Sequence, residues 1–356
     1  MMSQQIRETA GGDSRAPQEA ALTRSAGTHI ALKWLLRVLR LGPFLILAIL
    51  CVVLGALEPV FYSTMNVQNV LVQSSVVAIL AIGQLIVILT GGIDLSIGSG
   101  MALATVVGAL AFRGHVFNSG AAVVALMLLT GLGLGLVNGI IYVKGRVPHP
   151  FIVTLATYGA AGGIALTLAD GQPITGMPGI VNTLGNEYVG QVPIPVFVVL
   201  GVAIAAWWLT RHTQWGRWIY ATGGSPEAAQ RVGIPVSRML ISVYALSGLA
   251  AGFAAILTAG SFDGGSATVG QLSALDAVAG VIIGGASFLG GRGSVWNALV
   301  GALTLGVIRN GLDLLGISPF TQYAVVGVTI LFAVELDVLR AQLERRVRTL
   351  QANEQL

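Results

Sequence analysis

Apolar residues run on in long stretches along this chain, and the polar residues gather in short segments between them. The stretches are Leu41–Leu57, Val70–Leu89, Ile97–Phe112, Ala121–Val143, Phe151–Ala169, Ile194–Leu209, Met239–Ala259, Leu275–Leu289, Val295–Leu315 and Phe320–Leu336. A helix needs about 20 apolar residues to cross a bilayer. The pattern therefore predicts an all-α polytopic membrane protein with about ten transmembrane helices. The third and eighth runs are short, which allows a tilted, broken or re-entrant segment there. Residues 1–40 are polar and hold no long apolar run, so they read as a disordered cytoplasmic N-terminal tail rather than a signal peptide. Residues 41–338 form the transmembrane domain, and residues 339–356 a cytoplasmic C-terminal tail.

Composition supports this division. Of 356 residues, 54% are apolar and only 10% are charged, and the mean hydropathy is +0.82. A soluble domain carries about 25% charged residues. So few charges cannot build a water-facing surface, which excludes a secreted domain, a disordered protein and a nucleic-acid binder. The lipid bilayer is the surrounding medium. The net charge of +4 is explained by orientation. With the N-terminus inside, the cytoplasmic segments collect Arg7, Arg15, Arg24, Lys33, Arg37, Arg40, Lys144, Arg146, Arg211, Arg217, Arg231, Arg238, Arg292, Arg340, Arg345, Arg346 and Arg348. Only Arg113 and Arg309 fall outside. This is the positive-inside bias, and it places both termini in the cytoplasm. The single cysteine, Cys51, excludes a disulfide framework.

The chain also resembles itself. Leu89-Thr90-Gly91-Gly92-Ile93-Asp94 matches Leu257–Asp263 with one insertion, and Asn138-Gly139 before Pro150-Phe151 matches Asn310-Gly311 before Pro319-Phe320. Five spans separate the paired points, so the copies run in opposite directions through the bilayer. Inverted repeats with Gly-interrupted helices are a transporter signature. Gly248-xxx-Gly252 and Gly280-xxx-Gly284 place small residues on one helix face, where helices in lipid approach closely.

Two segments carry candidate chemistry. Thr90–Gly100 joins the second and third runs and contains Gly91, Gly92, Asp94 and Ser96. Broken backbone at membrane depth is tolerated where it is buried or lines a cavity. Asp94 is either part of a pore or gate element, or a carboxylate capping the following helix. The second segment is the loop Thr210–Arg238. In it Ser225 is a good N-cap, Pro226 suits the first helical position, Glu227 suits the positive helix end, and Gly233 stops a helix of about two turns. Such a helix fits a partner's cleft, or serves as an interfacial linker. No phosphate-binding loop and no metal-spaced His/Cys cluster is present, so no cofactor or metal is expected. Asp313 is placed to pair with Arg309 one turn earlier.

The Gly91–Gly98 string, the Gly216–Val236 loop and Ala279–Gly311 resemble the permease subunits of bacterial ATP-binding-cassette importers for ribose and related monosaccharides. The likeness covers roughly residues 40–338. The string GGIDLSIGS is specific to that branch; Gly284–Ser294 is shared with amino-acid and nucleoside permeases. The Glu227-Ala228-Ala229 to Gly233 spacing resembles the coupling segment, with a shorter run before Gly233. The resemblance implies a non-catalytic subunit with a type II-importer-like permease bundle in the bacterial inner membrane. It implies three partners: a cytoplasmic ATPase, a periplasmic solute-binding protein and a second permease copy. It places Gly223, Gly224, Pro226, Glu227, Ala228, Ala229, Arg231 and Gly233 in the ATPase-coupling loop. It places Gly91, Gly92, Asp94, Ser96, Asn138 and Asn310 at the passage or gate. A branched-chain amino acid, a nucleoside or an autoinducer-like solute is the alternative cargo, and a stand-alone secondary transporter the alternative machine. A membrane enzyme would need clustered nucleophilic or acid–base groups at one face, and the sequence shows none.

Overall fold

The computed structural model describes residues 41–353. The expected N-terminal tail, residues 1–40, lies outside the described residues, as do residues 354–356. One compact unit spans Pro43–Val338.

The chain opens with α1 (Leu41–Leu57) and a 3-10 turn at Pro59–Tyr62. Then come α2 (Thr64–Ile88), α3 (Ser96–Arg113), α4 (Gly120–Lys144) and α5 (Pro150–Leu168). A connecting segment holds β1 (Ile174–Thr175), α6 (Gly179–Asn186), β2 (Tyr188–Val189) and β3 (Val192–Pro193). The second half has α7 (Ile194–His212), α8 (Gln214–Gly224), α9 (Pro226–Arg231), α10 (Val236–Phe262), β4 (Gly264–Gly265), α11 (Ser273–Ile283), α12 (Val295–Leu314) and α13 (Pro319–Asn353). The strands are two-residue ladders: β1 pairs antiparallel with β4, Ile174 opposite Gly265, and β2 pairs with β3 as a hairpin.

Helix starts follow local chemistry. Ser63 Oγ accepts from Asn66 N (3.3 Å) at the head of α2, and Thr213 Oγ1 accepts from Gly216 N (3.1 Å) at the head of α8. Prolines open α5 and α13, where the missing N–H would have no intrahelical partner.

Among the described residues, seven helices are long and apolar enough to cross a membrane: α2, α3, α4, α5, α7, α10 and α12. Together they form an all-α multi-pass core. The remaining three apolar runs become shorter apolar helices: α1, α11 and the segment Pro319–Glu335 of α13. The eighth run is the most reduced. It ends as helix at Ile283, because Gly284 and Gly285 follow and Gly285 takes a left-handed φ of 83°. Eleven residues of helix rise about 16 Å, about half the hydrocarbon thickness.

Helices α2, α3 and α10 are mostly buried, whereas α4, α5 and α7 present most of their surface outward. The centre is the α2–α10 pair, with α4 and α3 against α10, and α12 and α11 against α2. Glycines set these approaches. A Cβ on Gly131 of α4 would land on the Gly248 carbonyl oxygen of α10, and one on Gly301 of α12 on the Gly280 carbonyl oxygen of α11. Both small-xxx-small stripes are therefore packing seams between helices of this chain.

One expected pairing is corrected. Arg309 does not pair with Asp313. It reaches across to Asp276 in the first turn of α11 (2.5 Å), and Asp313 accepts from Gln322 Nε2 (2.6 Å). Asp276 is 3% exposed at its side chain. A buried carboxylate left unpaired costs far more than an exposed one, so the guanidinium goes to the inner partner.

Candidate functional site

The break after α2 is built from backbone that only glycine takes easily. Gly91 has φ 77°, in the left-handed region. Gly92 lies under Tyr244, where an added Cβ would sit 2.6 Å from the phenol oxygen. The turn that follows places Asp94 inside the bundle at 1% exposure. Its Oδ1 accepts from Ser96 N (2.9 Å) and Ser96 Oγ (2.6 Å), and its Oδ2 accepts from Ser247 Oγ on α10 (2.8 Å).

The cluster extends outward. Asn138 Nδ2 on α4 donates to Ser96 Oγ (2.7 Å), and Thr157 Oγ1 on α5 donates to Asn138 Oδ1 (2.6 Å). Gln84, fully buried on α2, presents its amide to the Asp94 backbone. With the amide oriented to match donor to acceptor, its nitrogen donates to the Asp94 carbonyl (3.0 Å) and its oxygen accepts from the Asp94 N–H (3.2 Å). The Asp94 carboxylate thus both caps the start of α3 and ties that start to α10. Each polar side chain of this cluster has a partner, as buried polar groups require, and the cluster pins five long helices, α2, α3, α4, α5 and α10, around one break.

Asn310 is elsewhere. It forms a reciprocal amide pair with Asn66 (2.9 and 2.7 Å) between the end of α12 and the start of α2. The structure therefore brings Asp94, Ser96 and Asn138 together and leaves Asn310 in a separate contact. Sequence reasoning missed Gln84, Thr157 and Ser247. A glutamine inside an apolar run was the available signal, because an intramembrane amide needs an internal partner.

The loop between α7 and α10 folds as expected. Ser225 Oγ accepts from Ala228 N (3.3 Å), and Pro226 opens α9. At its end Gly233, φ 84°, lets its own N–H reach Gln230 O (3.0 Å) and the Ile234 N–H reach Ala229 O (3.1 Å). This is a Schellman stop. Ala229 is buried, while Pro226, Glu227, Ala228 and Arg231 are exposed, and Val232 is 76% exposed.

This loop is seated on the bundle. A Cβ on Gly223 would overlap the Leu89 carbonyl oxygen. That same carbonyl accepts from Gly291 N (2.9 Å), and Gly290 and Gly291 turn with φ 88° and 71°. Tyr220 Oη donates to Gly293 O (3.0 Å). Burial pushes the Tyr220 phenol above its ordinary pKa and Arg211 draws it partly back, so the hydroxyl keeps its donor proton at neutral pH. Gly224, one residue on, meets nothing with an added Cβ. Among the described residues, no group of three or more His, Cys, Asp or Glu side chains is placed to hold a metal ion.

The family described as "Branched-chain amino acid transport system / permease component" matches residues 66–334. The chain belongs to this family. The match runs from α2 into α13 and includes both the Asp94 cluster and the α8–α9 loop. The ribose import permease protein RbsC of Bacillus subtilis is 38% identical over 302 residues, covering 84% of this chain and 92% of that protein. The galactose/methyl galactoside import permease protein MglC of Salmonella typhimurium is 36% identical over 317 residues, covering 84% of this chain and 94% of that protein. The D-allose transport system permease protein AlsC of Escherichia coli is 36% identical over 219 residues, covering 61% of this chain and 66% of that protein. No solved structure matches the chain. The protein is a multi-pass membrane permease subunit homologous to sugar-import permeases.

Proposed function

We propose that this permease is the membrane subunit of an ATP-binding-cassette importer for a ribose-like monosaccharide. It works with a cytoplasmic ATPase, a periplasmic solute-binding protein and a second permease copy in the bacterial inner membrane. The observation that carries the reading is the seat of α9. A short, doubly capped helix exposes Glu227, Ala228 and Arg231, while its lead-in, through Gly223, has no slack against the end of α2 and the Gly290-Gly291 turn. A push on α9 is thereby passed to the segment that holds Asp94. ATP drives such a motion only if it binds the two arrangements with different affinity.

Sugar cargo is favoured by the names of the three relatives, which are for ribose, galactose and allose. The family description favours a second reading, a branched-chain amino acid.

The inverted repeat and ten spans belong to this proposal. What supports the repeat is that α2 lies on α11 and α12 while α10 lies on α3 and α4. The two aspartates of the repeat differ in setting, Asp94 buried and Asp263 exposed. Asp94 ties α3 to α10, and Asp263, just after α10, accepts from Met177 N (2.9 Å) and Asn182 Nδ2 (2.8 Å). The positive-inside bias supports cytoplasmic termini and a cytoplasmic α9. Gly91, Gly92, Asp94, Ser96, Asn138 and Asn310 are assigned to the passage or gate. In the present arrangement Asp94, Ser96, Asn138 and Asn310 are held in side-chain hydrogen bonds between helices.

The test is reconstitution with the ATPase and binding protein in vesicles, measuring uptake of labelled ribose, galactose, allose and leucine. ATP-dependent sugar uptake is expected. Accumulation by the chain alone against a concentration difference overturns the proposal.

A further inference from the structure

Between α7 and the central pair of α2 and α10 runs a groove of about 590 Å³. Along α7 it passes from Val198 to Leu209, a rise of about 16 Å. That is about half the hydrocarbon thickness, the depth of one leaflet. Its back is the contact of α2 with α10, where an added Cβ on Gly83 would sit 2.7 Å from the Ala250 side chain. Its wall is apolar, and the Trp208 indole is the one polar group among the lining side chains. Gly201 of α7 leaves it open. An added Cβ there meets nothing, whereas one on Gly131 or Gly301 would strike the backbone of a packed helix.

Positive charge stands at one end of this groove. Trp208 is in the wall, and Arg211 lies one turn further along the same face of α7. On α10, Arg238, Ser242 and Leu246 follow at four-residue spacing, and Leu246 is in the wall. Trp215 Nε1 of α8 donates to Ser242 Oγ (2.7 Å), so α8 joins α7 to α10 at this end. Arg211 and Arg238 are exposed, and neither is in an ion pair among the described residues. The corner from Thr210 to Gly224 also carries Arg217 and His212, whose ring packs on Trp207 (4.6 Å between centres), and it contains no acid. A polar solute has almost nothing to bond in such a wall. A neighbouring membrane helix needs a seam through both leaflets. A phospholipid is apolar over one leaflet and carries its phosphate at the end.

We infer that this groove is a binding site for an anionic diacyl phospholipid, with one acyl chain lying along Gly201 and Ala205 and the headgroup phosphate at the Arg211 and Arg238 end. Basic pockets between membrane helices recognise anionic headgroups, and each Arg near the surface adds to the attraction. The chain fills the space that separates α7 from α10. Helix α7 leads straight into α8 through a tight corner, where an added Cβ on Gly216 would overlap the Thr210 carbonyl oxygen. Bound lipid therefore steadies the arm that ends in α9. Placing the site in the inner leaflet rests on the orientation in the proposed function; the existence of the site does not.

The experiment titrates the full chain in detergent with dioleoyl phosphatidylglycerol or dioleoyl phosphatidylcholine. Native mass spectrometry counts the bound lipid, and the unfolding midpoint is followed alongside. Phosphatidylglycerol is expected to bind about tenfold more tightly, because two cations face its phosphate. It also raises the midpoint more, because a ligand of the folded state stabilises that state. Arg211→Gln combined with Arg238→Gln brings the two lipids within about twofold of each other. Gly201→Phe fills the groove from an exposed position and removes the tight site for both lipids. Ala205→Leu repeats that test with a smaller change, and both variants keep the lipid-free midpoint. Arg113→Gln, at the end of α3 and outside the groove, leaves binding unchanged. Binding that ignores the headgroup, the paired Arg substitutions or the two groove-filling substitutions overturns the site. Disulfide-linked dimers of Gly201→Cys in a Cys51→Ala background also overturn it, because a second copy then occupies the groove. No readout here uses the ATPase or transport, so failure of the lipid site leaves the proposed function standing, and failure of ATP-driven uptake leaves the lipid result intact.

Discussion

Gly223 sits so close to Leu89 that a β-carbon on it would overlap the Leu89 carbonyl oxygen. That carbonyl already accepts from Gly291 N at 2.9 Å, so three separate segments meet through backbone atoms, which cannot swing aside as a side chain could. Gly223→Ala is expected to displace the α8–α9 junction and lower ATP-dependent uptake by about tenfold, an effect of roughly 1.4 kcal/mol. Gly224→Ala, where the added carbon meets nothing, leaves uptake within about twofold, since a surface change of this kind is worth at most about 0.5 kcal/mol. Equal effects from the two substitutions would remove the steric basis of the seat.

The Asp94 carboxylate answers to three hydrogen bonds from Ser96 and Ser247. Asp94→Ala leaves the Ser96 and Ser247 donors without their acceptor, while the Gln84 contacts to the backbone at position 94 remain. A loss of about 3 kcal/mol or more follows from breaking a buried charge-assisted cluster, read as a lower midpoint of thermal unfolding in detergent. Ser247→Ala removes a single donor and costs about 1–3 kcal/mol. An unchanged unfolding midpoint in Asp94→Ala, together with lost uptake, would make Asp94 a passage group instead of a staple.

Arg309 and Asp276 form the one ion pair resolved between α11 and α12 among the described residues. Arg309→Gln leaves the Asp276 carboxylate buried without its cation, at a cost of about 3–5 kcal/mol. Asp313→Asn, at an exposed residue bonded to Gln322, costs under about 1 kcal/mol. Thermal unfolding of the two variants side by side checks the order.

Glu227 is exposed on α9, close to the N-cap Ser225. Glu227→Ala is expected to reduce co-purification of the ATPase and ATP-dependent uptake while the unfolding midpoint shifts by less than about 0.5 kcal/mol equivalent. Gly233→Ala forces a side chain into φ 84° and costs about 1 kcal/mol locally, which loosens the end of α9. Unchanged co-purification in both variants would detach α9 from the ATPase.

Orientation is read with single cysteines in a Cys51→Ala background. Asp170→Cys lies between α5 and β1, and Ser225→Cys at the head of α9. An impermeant thiol reagent should label them from opposite sides of the membrane. Labelling from the same side contradicts both the ten-span count and the placement of α9.

How much was legible beforehand depends on the range of each interaction. The α9 start and stop were readable because Ser225, Pro226 and Gly233 act on backbone within four residues of themselves. The Asp94–Ser96 contact was readable for the same reason, being two residues apart. The roles of Gln84, Thr157 and Ser247 were not. Each is a lone polar residue in an apolar run, and its meaning depends on which neighbouring helix it faces. The expected Arg309–Asp313 pair failed by the same logic. The local rule was sound, but α11 brought a more deeply buried carboxylate within reach.

By itself the sequence determined that this is a helical membrane protein, roughly where its apolar helices run, and how the α8–α9 loop is capped. Those outcomes follow from hydropathy summed over a segment and from bonds made within one turn. Only the tertiary structure decided that α2 and α10 form the centre, that Asp94 is saturated by partners from α3 and α10, and that Asn310 belongs to a different contact from Asn138. In lipid, apolar surface does not choose between neighbours, so close glycine contacts and a few interior hydrogen bonds select them, and those depend on residues far apart in the chain.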